Sequence, residues 1–370
     1  MKKATIFLCT ALLAGSALGY QESMQIEAKA EALLLEERYE EAAQVYRQAL
    51  KLNPRSYTAH YNLAKALLAL GKNEEAEAQL FKARDDAPEV STFHDLLGQM
   101  FFEMKNYDAA LQSFAEAQRI DPSNAQASYN LARTLEEVGR ADEAEQAYGS
   151  ALEANPKDAQ ALFNRGLQKS AAGDHRAAAQ FFTQAVEADP SLANAHYSLG
   201  VSLSETGQYG KAVEAFRKAA ELEPDDADIF FALGKLHYNY QQYAAAVTAL
   251  KKAARLDSSV AEHHYTLGLA LADSSRHVEA IEAFQRAASI KGNGDTYAAL
   301  GNSQYMMRMI PQSIASYKKA IQWSPNSAEA HYGLGLAYVA QRNLTAARKE
   351  YEILKKLKPS YARTLKRYLR

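Results

Sequence analysis

Five of the nine histidines, His60, His94, His196, His264 and His331, share one phase: the interval from His60 to His94 separates the rest in whole multiples, apart from one missing residue before His331. Histidine is a common metal ligand and general base, so this regularity is the first place to look for chemistry. A pair of helical metal ligands needs i, i+3 or i+4 spacing, and no two histidines of the chain have it. Cys9 is the only cysteine, so no thiolate assists. The histidines are expected to pack, and no metal or cofactor is expected. The neighbouring carboxylates Glu36 and Glu37, Glu40 and Glu41, and Asp225 and Asp226 read as solvated helix faces or turns. No nucleophile motif or glycine-rich phosphate loop accompanies them. An enzyme is not expected.

The remaining chemistry is that of recognition. Seven aromatics, Tyr61, Tyr129, Phe163, Tyr197, Phe231, Tyr265 and Tyr332, keep a phase one residue after that of the histidines. Aromatic rings give contact area at low conformational cost, and tyrosine adds a hydroxyl. Asn62, Asn130 and Asn164 follow three of these aromatics. A carboxamide donates and accepts hydrogen bonds, which matches a peptide unit.

What must position these residues is a repeat. Pro54, Pro88, Pro122, Pro156, Pro190 and Pro224 are equally spaced, at the interval that separates His60 from His94. Ser258 and Gly292 hold the next two stations, and Pro325 and Pro359 resume the series after one lost residue. With each station taken as the thirty-second place, the repeats start at Ser23, Tyr57, Ser91, Ala125, Ala159, Ala193, Ala227, Ala261, Gly294 and Ala328. The eighth place is always Ala or Gly. The twentieth is Ala in nine repeats and Ser313 in the other. The twenty-fourth is large, as in Tyr46, Phe114, Phe216 and Phe284. Apolar residues recur three and four apart, the period of amphipathic helices, so each repeat is a pair of helices. Small residues let the two approach, and large ones fill the space between hairpins. Gly71, Gly139, Gly173 and Gly207 suit a left-handed turn inside the hairpin. The ladder prolines end the second helices, and Pro311 suits a helical first turn.

The run Ala195-His196-Tyr197-Ser198-Leu199-Gly200, with Ala212, Phe216, Ala219 and Pro224, resembles the tetratricopeptide-repeat consensus, and the resemblance extends from Ser23 to Tyr361. It implies an all-α, right-handed superhelical solenoid of ten helical hairpins over residues 20–361, closed by a capping helix at 362–370. It also implies a concave groove lined by first helices, with Tyr61, Asn62, Tyr129, Asn130, Phe163, Asn164, Tyr197, Phe231, Tyr265 and Tyr332 facing a partner. The same aromatics also pack partly against their neighbours. The family's clamp for a C-terminal carboxylate takes lysine, asparagine and arginine from three adjacent repeats. Around Asn62 the flanking places hold Glu27, Glu31, Thr92 and Leu96, and around Asn130 they hold Asp95, Gln99, Gln160 and Asn164. Neither set is a clamp.

Arg165 and Lys169 hold the seventh and eleventh places of the fifth repeat, which are apolar in most others. Either their stems pack while their heads reach water, or they form a polar seam that pairs with acids. His237 and Gln304 are milder departures. Ser289 to Gly294 lacks both the proline and one residue, which predicts local flexibility between the eighth and ninth repeats.

At the N-terminus, Lys2 and Lys3 precede an apolar run from Ala4 to Leu18, and Ala17-Leu18-Gly19 offers small residues at a cleavage site. Residues 1–19 thus read as a secretory signal peptide, too short to span a membrane. A chain starting at Tyr20 is expected to be periplasmic or secreted, without a transmembrane segment. Its net charge would be −4, since two lysines leave a chain of net charge −2. Nucleic acid is not an expected partner, because its binders show a basic footprint. The stretch from Arg342 to Arg370 nevertheless holds ten Lys or Arg against Glu350 and Glu352, which suits an anionic partner or simply a solvated end. The expected function is a scaffold for protein or extended-peptide ligands in an envelope assembly. The alternative is a binder of glycan strands, whose sugars would stack on the aromatics.

Overall fold

The computed structural model describes residues 21–369; the expected leader at 1–19 lies outside them. All secondary structure among the described residues is helical. The chain divides into two compact units, one ending at Gln168 and the other beginning at Lys169.

The first unit contains α1 (21–35), α2 (Tyr39–Leu52), α3 (Tyr57–Ala69), α4 (Asn73–Asp86), α5 (Ser91–Glu103), α6 (Tyr107–Ile120), α7 (Ala125–Glu137) and α8 (Ala141–Ala154), then most of α9 (Ala159–Ala171). The second takes the end of α9, then α10 (His175–Ala188), α11 (Ala193–Glu205), α12 (Tyr209–Leu222), α13 (Ala227–Asn239), α14 (Tyr243–Leu256), α15 (Ala261–Asp273), α16 (His277–Lys291), α17 (Gly294–Met306), α18 (Ile310–Trp323), α19 (Ala328–Ala340), α20 (Leu344–Leu357) and α21 (Pro359–Lys366). Within each unit, antiparallel hairpins stack in chain order, second helices packing on the first helices before and after them, as α6 does on α5 and α7 and α14 on α13 and α15. Successive first helices also touch, as α5 does α7 and α17 does α19, which places them on the inner side of each stack.

Polar side chains start many of these helices. Ser56, Asn106, Asn124, Asp174, Asn293, Ser327 and Asn343 each accept a hydrogen bond from the N–H three residues on. That satisfies one of the donors a helix start leaves free. Each hairpin turns through one left-handed residue at the fifteenth place. Gly71, Gly139, Gly173 and Gly207 hold it with φ of 71–78°, as expected, but Glu37, Lys105, Gln241, Ser275, Arg308 and Arg342 do so at 57–65°. The next N–H then reaches the carbonyl five residues back, as Gln242 does to His237 at 2.8 Å. A side chain in this conformation costs about 1 kcal/mol that glycine avoids. Gln241→Gly and Ser275→Gly are therefore each expected to raise stability by about 0.5–1 kcal/mol, read as a higher urea midpoint with an unchanged slope.

The core is one column per repeat. The large residue of the twenty-fourth place is fully buried in Tyr46, Leu80, Tyr148, Phe182, Leu250 and Phe284. It lies over the eighth place of its own repeat. A Cβ added at Gly98, Gly200, Gly234 or Gly268 would stand 2.5–2.8 Å from atoms of Phe114, Phe216, Leu250 or Phe284. In the last repeat a different contact takes over: Gly335 faces Leu365 of α21, and Leu354 is fully buried. α21 begins at Pro359 and ends at Lys366, earlier at both ends than the 362–370 expected. Pro359 sits in its first turn, where a proline starts a helix as readily as it stops one. At the junction of the eighth and ninth repeats the lost residue shortens the connection to Gly292 and Asn293. Asn293 caps α17 by accepting from Thr296 N–H at 2.8 Å, and Gly294 is buried beside Ser324. Capping and packing thus fix the start of α17 after this shortened connection.

Candidate recognition face on the first helices

The seven periodic aromatics are all half-buried on first helices. Most of the rings pack on another ring, of the same repeat or of the next. Tyr129, Tyr197 and Tyr265 lean on Tyr148, Phe216 and Phe284, the large core residues of their own hairpins, with ring centroids 5.7–5.9 Å apart. Tyr61 packs on Phe93 at 5.2 Å, Phe231 on His263 at 4.8 Å, and Tyr332 stacks on Tyr361 at 4.9 Å. Burial pushes the phenol pKa values of Tyr61, Tyr129, Tyr197, Tyr265 and Tyr332 up. The charges of Asp95, Asp228 and Asp295 raise Tyr61, Tyr197 and Tyr265 further. In each of these three cases the acid belongs to the following repeat, so a carboxylate of one hairpin stands near the tyrosine of the last.

Cations join the row. Lys65, Arg133 and Lys235, each four residues after its aromatic, lie over Tyr61, Tyr129 and Phe231 at 5.2–5.8 Å from the ring centroids. One turn of helix sets that spacing. Sequence reasoning overlooked these cations, although their i+4 relation to the aromatics was visible.

The asparagines behave differently from the aromatics. Asn130 is buried; its Nδ2 donates to Asp95 Oδ1 at 3.0 Å, and its Oδ1 accepts from Gln126 Nε2 at 3.1 Å. Asn164 is half-buried and donates to the Tyr129 hydroxyl at 3.1 Å. Asn62, also half-buried, lies beside the Tyr46 hydroxyl. Asn130 and Asn164 thus tie neighbouring hairpins together. Asn164 and Tyr129 are brought into direct contact; the other candidates are distributed over the repeats of each unit.

The histidine column has a structural role. The Nε2 atoms of His60, His94, His196 and His331 lie 2.9–3.1 Å from the carbonyl oxygens of Pro54, Pro88, Pro190 and Pro325. His264 makes the same contact to Ser258 at 3.3 Å. Each imidazole therefore ties its helix to the ladder turn before it. Among the described residues, no group of three or more His, Cys, Asp or Glu is placed to hold a metal, and no helix is long and apolar enough to cross a membrane. The polar departures find partners as well. Arg165 lies 3.6 Å from Glu145, His237 meets the Tyr209 hydroxyl at 2.8 Å, and the Ser316 hydroxyl donates to Gln304 at 2.7 Å.

The profile of the cilia and flagella-associated protein 70 C-terminal domain matches residues 10–229, and two tetratricopeptide-repeat profiles match residues 231–296 and 310–342. The chain belongs to the tetratricopeptide-repeat family. As such it is an interaction scaffold for proteins or peptides. Among its relatives are Hsp70-Hsp90 organizing protein 1 of Glycine max, 30% identical over 30% of this chain, and small glutamine-rich tetratricopeptide repeat-containing protein 2 of Mycosarcoma maydis, 36% identical over 30% of it. The tetratricopeptide chain spans 19% and 32% of those two proteins' lengths. A solved structure of Pseudomonas aeruginosa pilF covers 60% of the chain and 99% of its own, with a TM-score of 0.53 and 16% identity, a likeness of fold.

Proposed function

We propose that this tetratricopeptide protein is exported to the periplasm or beyond and there holds extended polypeptide segments against its first helices, within an envelope assembly. The leader-like residues 1–19 motivate the compartment. The observation that carries the binding role is the row of half-buried aromatics on the first helices, of which Tyr129, Tyr197 and Tyr265 are backed by the core ring of their own hairpins. Rings held in place from behind lose little freedom on binding, which favours recognition over mere packing.

Tyr197→Ala combined with Phe231→Ala tests this reading. Both rings are half-buried, so the fold is expected to persist by circular dichroism. Recovery of polypeptides cross-linked to the protein in an envelope fraction is expected to fall about tenfold, the effect of losing one or two aromatic anchors. Undiminished recovery with an intact fold would place binding elsewhere. Capture of glycan strands without polypeptide would replace the polypeptide reading with the carbohydrate one. Cell fractionation, with the mature N-terminus sequenced, checks the compartment.

A further inference from the structure

Three repeats depart from the aromatic row at the fifth place, with Glu27, Asp95 and Ala298, and of the two acids Asp95 is the buried one. Asp95 of α5 occupies the fifth place of the third repeat, where seven other repeats hold a ring, and it is only 9% exposed. A carboxylate taken out of water is normally matched by a cation, because the unmatched charge costs several kcal/mol. Among the described residues no lysine, arginine or histidine pairs with Asp95. Two amides hold it instead: Asn130 Nδ2 donates to Oδ1 at 3.0 Å, and Gln99 Nε2 donates to Oδ2 at 2.9 Å. Gln126 in turn donates to Asn130, so both oxygens are fixed in direction while the charge stays uncompensated.

Gln99, Gln126 and Asn130, with Phe102, Phe114, Glu103 and Arg133, line a recess of about 290 Å³ between α5 and α7. Asp95 does not itself line the recess; its carboxylate accepts from two of these amides, Gln99 and Asn130. Tyr61 is near enough to feel its charge. Arg133, itself part of the lining, does not pair with Asp95; its guanidinium rests 4.9 Å from the Phe102 ring centroid and 5.8 Å from that of Tyr129. Held this way, Arg133 leaves the buried anion without a counter-ion from the protein.

We infer that the Asp95 recess is a specificity pocket for a cationic side chain, lysine or arginine, of the polypeptide lying along the first helices. The assignment rests on the binding role proposed above and adds the charge of the ligand residue that enters this repeat. The cation meets the buried charge at short range through the two amides, whose oxygens accept its N–H groups, and the neighbouring rings flank its stem.

The test measures fluorescence polarisation of mixed-sequence nonapeptide pools, with the central residue fixed as lysine, arginine, norleucine or glutamate, against the full chain, Asp95→Asn and the Tyr197→Ala, Phe231→Ala variant. Lysine and arginine pools are expected to bind the full chain about tenfold tighter than the norleucine pool. Asp95→Asn should erase that preference by weakening the lysine and arginine pools to the level of the norleucine pool, and should melt at or above the temperature of the parent, since an uncompensated buried charge is removed. Binding of all pools without cation preference overturns the pocket and leaves the recognition face standing. Binding of no pool overturns the recognition face and the pocket with it. Saturation by n-butylammonium alone, with nothing gained from the peptide flanks, makes the recess a site for free amines and overturns the peptide assignment.

Discussion

Replacement of Phe284 by alanine should cost the second unit about 3–5 kcal/mol, the range for truncating a buried phenylalanine where the surroundings cannot collapse. Phe284 is fully buried in a cluster with Leu267, Leu271, Ile281 and Leu300, and Tyr265 leans on its ring at 5.9 Å. Removal of the ring leaves Gly268 facing a void that it has no side chain to fill. Stacked hairpins depend mainly on their neighbours, so the loss should appear locally before it appears globally. Urea unfolding should show a lowered midpoint, and amide exchange in α15 and α16 should rise ahead of that in α11 and α12. Uniform exchange through the unit would mean that cooperativity extends further than nearest neighbours.

The same seam fails in the opposite sense when Gly268 is enlarged. A Cβ there would stand 2.6 Å from Cδ1 and Cε1 of Phe284, closer than carbon atoms approach. In Gly268→Ala the gain in helix propensity, about 1 kcal/mol, offsets much of the crowding. Gly268→Val adds two methyl groups with less gain in propensity, so a net loss of about 3 kcal/mol is expected. Ala64 stands with the smaller Leu80, although Ala30 and Ala132 accept the rings of Tyr46 and Tyr148; all six are fully buried. Gly268→Ala with Phe284→Leu should therefore cost less than the sum of the two single changes, and a double-mutant cycle on urea midpoints reads that coupling. Strict additivity would show that the two residues do not bear on each other.

Much of the fold was legible because close packing leaves periodic marks. A small residue under a large one, once in every repeat, is the contact between Gly268 and Phe284 written out as spacing. Residues that act through the backbone were less visible. Four glycines announced the left-handed turn, yet Glu37, Lys105, Gln241, Ser275, Arg308 and Arg342 adopt it too, because the hairpin around them imposes the conformation. The histidine column was visible as a phase, but its partner is a main-chain carbonyl, which has no letter in the sequence. The asparagines were read as ligands for a peptide, whereas Asn130 and Asn164 bond to Asp95 and Tyr129 one repeat earlier. Asp95 itself was noted as a flank of Asn130. The signal it carried was an acid where most repeats place a ring, and only its burial without a cation gives that signal weight.

The short linkers between hairpins carry a consequence for assembly. Three hairpins close internally on the same contact, Gly98 with Phe114, Gly200 with Phe216 and Gly268 with Phe284, so as modules they are much alike. Order comes from tether length. Four residues join each second helix to the next first helix, and two do so after α16. At about 3.5 Å per residue such a tether reaches roughly 17 Å, less than the two helix layers, near 20 Å, that a hairpin would have to step over to trade places. Interchangeable modules are thus kept in sequence by a leash too short for any permutation, and the interfaces remain free to vary for other ends.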